Sequence, residues 1–210
     1  MLRIYYAPPS IYGRKVLAVL EEKGLDYEIE RLSFSTQDHL KPEYLALNPN
    51  GEIPTLVDDN VVIYESTAII EYLNDEYPEP PLLAEDSASR AKARMIDDFC
   101  DLHFFRSLIK CLIKKVLKSE TLEETDITPV MQGLKRLESY LGNQEWIAGK
   151  FSLADCAVMA GIATFEGLSL GTLAHTSKAF QDYVQRLKKR PGYKGANLMR
   201  VEAPAAPAQA

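Results

Sequence analysis

The reading of the chain turns on "NPNGEIPTLVDDNVVIYES", Asn48–Ser66. Asn48-Pro49-Asn50-Gly51 is a turn signal, because Asn and Gly tolerate unusual backbone angles and proline pre-sets its own. "IPTLV" and "VVIY" then flank Asp58-Asp59-Asn60, the pattern of a β-hairpin. Pro54 stands at the entry to the first strand. It has no N–H for a ladder bond, so it belongs at an edge, a first residue or a bend. Two readings of it stay open. A trans Pro54 is a simple turn proline, whereas a cis bond turns the amide and carbonyl of Ile53 outward, free to pair with an extended peptide. A helix follows, with Ile69, Ile70, Leu73 and Tyr77 at three-to-four spacing. Its start suits a carboxylate, through backbone N–H groups and the Ser66 hydroxyl, and Glu65 beside it suits an ammonium. The plainer alternative is that Ser66 caps its own helix.

Upstream, "LRIYY" (2–6) reads as a strand. Residues 11–23 carry Ile11, Val16, Leu17 and Leu20 and stop at Gly24, and "DYEIERLSF" (26–34) reads as a second strand. The order is β-α-β, then β-β-α. Ser10 falls at the start of the first helix, where the macrodipole favours developing negative charge. Downstream, "YPEPPLLAEDS" (77–87) is proline-rich and extended. Only helical patterns follow, over 88–118, 123–142, 152–168 and 177–190, with Ser152 and Asp155 forming a capping box before the apolar run 157–160. The expectation is an α/β domain over 1–78, a linker over 79–87, an all-helical domain over 88–201, and a disordered Ala/Pro tail over 202–210.

Composition narrows the function classes. The chain has 210 residues, 46% hydrophobic, and a formal net charge of -6. That sign argues against nucleic acid as a partner. Lys188-Lys189-Arg190 reads as the charged end of a helix rather than a phosphate site. Cys100, Cys111 and Cys156 have no metal-like spacing and read as structural, so no metal is expected. Trp146 reads as a packing residue. With no apolar stretch of membrane-spanning length, the expectation is a cytoplasmic protein without a membrane partner.

The ordered set "APPSxxxRKVLxxLEEKGLDYE", "NPNGEIPTLVD", "YESTAIIEYL" and "SLADC" resembles the cytosolic glutathione transferase superfamily, from residue 2 to about 200. The resemblance implies a thioredoxin-like N-terminal domain, an all-helical C-terminal domain, a homodimer, and glutathione as co-substrate. It implies that the γ-glutamyl end meets Glu65 and Ser66, and that the cysteinyl backbone pairs with Ile53 beside Pro54. Serine-type members such as the plant phi class hold a hydroxyl against the glutathione sulfur, and Ser10 matches that position. Tyr5, Tyr6 and Tyr12 are rival donors, with packing the alternative for each. A donor aimed at the sulfur near a helix N-terminus lowers the thiol pKa, which makes the thiolate nucleophile available.

The phi-type basic pair for the glycine carboxylate begins at His39, but Leu40 follows, which leaves Lys41 as a substitute. Glu52 stands where Gln or Lys often assists. The beta class resembles "DLHFF" (101–105), so His103 either reaches the site or is a polar helix residue without a role. Ser10 in place of that class's cysteine argues against a mixed-disulfide reductase. The implied activity is conjugation of the glutathione thiolate to small apolar electrophiles, in a detoxification role. The electrophile pocket is expected to involve Tyr12, Met95, Phe99 and His103. Two alternatives remain. The hairpin and "PEPPL" also resemble the bacterial stringent starvation protein, which implies a non-catalytic regulator binding a protein partner, although its Pro-His-Pro is Pro78-Glu79-Pro80 here and its usual Arg is Thr67. A glutathione-dependent isomerase of the zeta type is the other, although the Ser-Ser-Cys expected at the first turn is missing.

Overall fold

The computed structural model describes residues 1–197. Its first half is a four-stranded mixed sheet in the order β2-β1-β3-β4. β1 (Leu2–Tyr6) runs parallel to β2 (Tyr27–Arg31) and antiparallel to β3 (Thr55–Asp58), which pairs antiparallel with β4 (Val61–Tyr64). Alternation along β1 decides the layers. Leu2, Ile4 and Tyr6 are buried in the main core with α1 (Ile11–Lys23) and α3 (Ser66–Glu76). Tyr5 turns the other way, into a small cluster with Ala7, Ile53 and Tyr44, the last carried by the short α2 (Pro42–Leu45). α1 stops where sequence predicts, at Gly24 with φ 61, because glycine accepts the left-handed cap at no steric cost. The second strand is shorter than the apolar pattern of 26–34.

Residues 77–86 lead into the helical half: α4 (Ser87–Phe99), α5 (Phe105–Leu112), α6 (Glu124–Leu141), α7 (Leu153–Gly167), α8 (Lys178–Lys188) and α9 (Pro191–Asn197). α7 runs through the middle, with every residue from Leu153 to Phe165 buried. Its predicted capping box is present, and Asp155 does more than cap. Its Oδ2 accepts from the Ser152 N–H at 2.9 Å, while Oδ1 accepts from the Tyr183 hydroxyl at 2.8 Å and the Ile147 N–H at 3.2 Å. The thioredoxin-like half and the helical half are tied by α9, which sequence pattern missed behind its Pro-Gly start. Gly192 and Gly195 let it lie directly on α1: a Cβ at Gly195 would sit 2.6 Å from the Leu17 carbonyl oxygen. Arg190, from the basic cluster, pairs at 2.6 Å with the buried Glu22 of α1, and Lys188 pairs with Glu166.

The helix predicted over 88–118 is continuous but not uniform. Two π turns, Cys100–Phe104 and Ile113–Leu117, follow α4 and α5. Each widens the turn by a residue and so rotates the faces that a constant 3.6-residue period would assign. Trp146 packs as read, edge-on to Phe151 and Tyr183. All three cysteines are buried and free. Among the described residues no helix is long and apolar enough to cross a membrane, and no group of potential metal ligands converges. The expected tail, 202–210, and the last residues of the expected helical domain lie outside the described residues.

Candidate functional site

The turn between β1 and α1 is held from several sides. The Ser10 N–H donates to the Ala7 carbonyl at 2.8 Å, and the Pro8 carbonyl accepts from the Tyr6 hydroxyl at 3.1 Å and from Arg14 Nε at 3.3 Å. This fixes Ser10 as the N-cap of α1, its Oγ accepting from the Gly13 N–H at 3.1 Å. The same hydroxyl donates across to the Ile53 carbonyl at 3.1 Å. The Ile53-Pro54 bond is cis. Behind it, the Glu52 carbonyl is held by the Tyr44 hydroxyl and, at 2.8 Å, by Asn48 Nδ2, which explains why the asparagine of "NPNG" is buried.

On the far side Glu65 caps α3 with φ 72, a left-handed angle that an ordinary side chain occupies only at a cost of about 1–3 kcal/mol. It delivers Ser66 to the first helical position, 6% exposed. Ser10, Tyr12, Ile53, Pro54, Glu52, Glu65, Ser66 and His39 all border one cavity of about 610 Å³ between the two halves of the chain. A second depression of about 600 Å³ lies along α6 by Ile127, Met131 and His175, and it gathers none of these residues.

Several expected site residues lie elsewhere. The Lys41 ammonium pairs with Asp38 at 2.6 Å and does not border the cavity. Tyr6 is wholly buried, its hydroxyl committed to Pro8, and burial raises its pKa. Tyr5 packs against Tyr44 on the opposite face of the sheet. Neither touches the cavity, which leaves Tyr12 beside Ser10. The Tyr12 hydroxyl donates to the Asp101 carbonyl at 3.3 Å, and burial, then the Asp101 charge, raise its pKa.

Met95, Phe99 and His103 do not line the cavity either. His103 stacks on Phe99 at 5.4 Å, Phe99 meets Tyr140 of α6 edge-on, and Met95 is 51% exposed. Spaced by four, these three share one helix face, from which Phe99 meets α6. The first π turn presents Asp101 and Leu102 to the cavity instead, and the second presents Ile113 and Leu117.

The residues that sequence reasoning missed form a buried charge cluster under the cavity floor. Lys15, on the core face of α1 and fully buried, places its ammonium 3.0 Å from Asp97 Oδ1, 2.8 Å from Asp101 Oδ2 and 2.9 Å from Thr67 Oγ1. Burial works to lower the Lys15 pKa, but the two carboxylates outweigh it and hold it above the ordinary lysine value. Burial, followed by the neighbouring Asp97 charge, raises Asp101 against the pull of Lys15. Asp101 borders the cavity, and its buried Oδ1 has no hydrogen-bond partner. A signal for the cluster exists in sequence: a lysine on the apolar face of α1 demands a buried counter-charge, and Asp97 and Asp101 stand one turn apart.

Comparison with known proteins places this geometry. The pattern of the family "Glutathione S-transferase, N-terminal domain" matches residues 9–76. A delta-class glutathione transferase of Nilaparvata lugens superimposes with a TM-score of 0.85 at 30% identity, covering 94% of this chain and 93% of that one. The chain belongs to the cytosolic glutathione transferase superfamily. Within the superfamily, the maleylacetoacetate isomerase of Pseudomonas aeruginosa is 35% identical over 158 residues, 70% of this chain and 72% of that protein. A stringent starvation protein A homolog of Haemophilus influenzae is 30% identical over 202 residues, 92% of this chain and 88% of that one. The thioredoxin-like half, the helical half and glutathione binding by the family are thus common ground, while these relatives carry different names for what they do.

Proposed function

We propose that the protein is a glutathione transferase that joins the thiolate of reduced glutathione to small apolar electrophiles. The observation that carries this reading is the Ser10 hydroxyl: it caps α1, reaches the Ile53 carbonyl at 3.1 Å, and borders the cavity shared with Glu65 and Ser66. In this reading the γ-glutamyl carboxylate rests on the start of α3 and Ser66, its ammonium on Glu65, and the cysteinyl backbone on Ile53. The glycine end lies toward His39, since Lys41 is engaged by Asp38. Ser10 swings its proton from Ile53 to the sulfur and holds the thiolate, which attacks the electrophile; no covalent bond to the protein forms. The apolar half of the cavity, with Leu102, Ile109, Leu112 and Ile113, takes the electrophile. The half-exposed Val61, Val62 and Met95 support the homodimer usual in the family, in a cytoplasmic detoxification role.

Calorimetric titration with reduced glutathione, run beside conjugation of 1-chloro-2,4-dinitrobenzene, tests the reading. Binding with turnover supports it, and absence of binding at millimolar glutathione refutes it. A second reading, a non-catalytic regulator with a protein partner, is favoured by the similarity to the starvation protein homolog across nearly the whole chain. It predicts glutathione binding or folding without conjugation. Turnover of a maleyl ketoacid without net conjugation would mark the isomerase alternative instead.

A further inference from the structure

The cavity is electrostatically lopsided. Glu52, Glu65 and Asp101 border it, and the buried Lys15 is spent on Asp97 and Asp101. An anionic electrophile held against this end would be repelled. The wall that runs from Leu102 to Ile113 differs. Leu102, Arg106, Ile109 and Ile113 follow one another at intervals of four, three and four residues, which is a single stripe along the helix. Leu102, Ile109 and Ile113 border the cavity, and Arg106 shares their stripe just outside the lining. Arg106 is exposed and has no hydrogen-bond or ion-pair partner among the described residues. Its charge reaches the Tyr12 hydroxyl in the cavity wall, where it opposes the effect of Asp101. Lys110, one turn further, is likewise exposed and unpaired among the described residues. By contrast Lys114 and Lys115, beyond it, are engaged by Asp126 and by the Leu168 carbonyl.

We infer that Arg106 is a specificity-determining residue that selects electrophiles with an apolar body and a carboxylate at the end remote from the reacting carbon. The inference rests on the proposed transferase reading and names the substrate class of that same cavity. The apolar body lies along Leu102, Ile109 and Ile113, the reacting carbon faces Ser10, and the carboxylate emerges beside Arg106, whose planar fork suits two carboxylate oxygens. Lys110 adds a second, more mobile cation. Because the carboxylate stays at the rim, its desolvation is slight and the gain is modest and sensitive to salt.

A matched pair of conjugates separates this from general apolar binding. Glutathione reacts with 4-chloro-3-nitrobenzoate or with its neutral amide; the new C–S bond forms at the carbon that loses chloride, and chloride leaves with the bonding pair. The two purified conjugates differ only in the remote group. Titrated into the full-length protein at low salt, the carboxylate conjugate is expected to bind about threefold to fivefold more tightly than the amide. Arg106→Gln should bring the ratio close to one, Arg106→Lys should restore part of it, and added salt should erode it in the wild type. Equal affinities in the wild type, or a preference that survives Arg106→Gln, would overturn the assignment while leaving the transferase reading in place. Failure to bind either conjugate would overturn both.

Discussion

Ser10→Ala separates a helix cap from a thiolate donor. In the structure the hydroxyl accepts from the Gly13 N–H and donates to the Ile53 carbonyl, both at 3.1 Å. Removing it takes away an N-cap, a loss of about 1 kcal/mol, and unpairs a buried carbonyl for about 1 more. A stability loss near 2 kcal/mol in urea is therefore expected whatever the function. The catalytic effect is smaller than a free hydroxyl would give. To serve the sulfur, Ser10 exchanges a neutral hydrogen bond of about 1 kcal/mol for a charge-assisted one of about 2, a net gain near 1. That corresponds to a rise of somewhat under ~1 pH unit in the pKa of the bound thiol on Ser10→Ala. The ultraviolet absorbance of the bound thiolate, followed against pH, reads it directly. Conjugation should fall most below the new pKa and recover as pH rises, with glutathione affinity nearly unchanged. A full stability loss with an unmoved titration curve would refute the donor role and leave Tyr12, the rival donor that borders the cavity, as the candidate.

Lys15→Met leaves Asp97 and Asp101 buried together without their cation, and should cost about 3–5 kcal/mol by denaturant unfolding, with part recovered by adding Asp97→Asn. Gly161→Ala drives a Cβ to 2.4 Å from the Phe104 ring, so a loss of about 1–3 kcal/mol is expected, relieved by shortening Phe104 to Leu. Burial raises Asp155 to about 6 from 3.8 despite its four donors, so the folded chain holds that proton more tightly than the unfolded one. Its contribution is full below about pH 4 and is lost as pH rises through about 6, a swing near 3 kcal/mol that Asp155→Asn should flatten in unfolding measurements across that window. Glu65→Gly relieves the φ of 72 and should raise stability by about 1 kcal/mol while weakening glutathione binding in calorimetry; unchanged affinity would remove Glu65 from the clamp.

What the sequence made legible follows the range of the interactions involved. The hairpin after Asn48, the cap of α7 and the glycine stop of α1 are local, written in turn chemistry and periodicity within a few residues. Tyr5 and Tyr6 are two steps of the same strand, so one turns to each face of the sheet, and neither reaches the cavity. The misplacement of Met95, Phe99 and His103 has a different origin. That expectation came with the family resemblance, and nothing local in the sequence marks the wider turn at Cys100–Phe104 that offers Asp101 and Leu102 to the cavity. α9 was invisible for a third reason. Its seven residues have little propensity of their own, and it exists through the close seat that Gly192 and Gly195 give it on α1.

Some of the unsatisfied parts of the molecule border the cavity. Among the described residues three buried side-chain atoms lack a hydrogen-bond partner, and two of them, His39 Nδ1 and Asp101 Oδ1, belong to residues of the cavity wall. Glu65, a non-glycine residue with φ 72, lies in the same wall. A fold selected for stability alone would pair or relax such groups, since each costs of order 1–3 kcal/mol. Their sharing one cavity with the Ser10 hydroxyl is what a polar guest of several hydrogen-bonding groups would require. It also bears on the regulator reading. A scaffold that had given up its ligand is under no pressure to keep an orphaned oxygen over a buried lysine, so glutathione should raise the melting temperature of this protein even in a preparation that shows no conjugation.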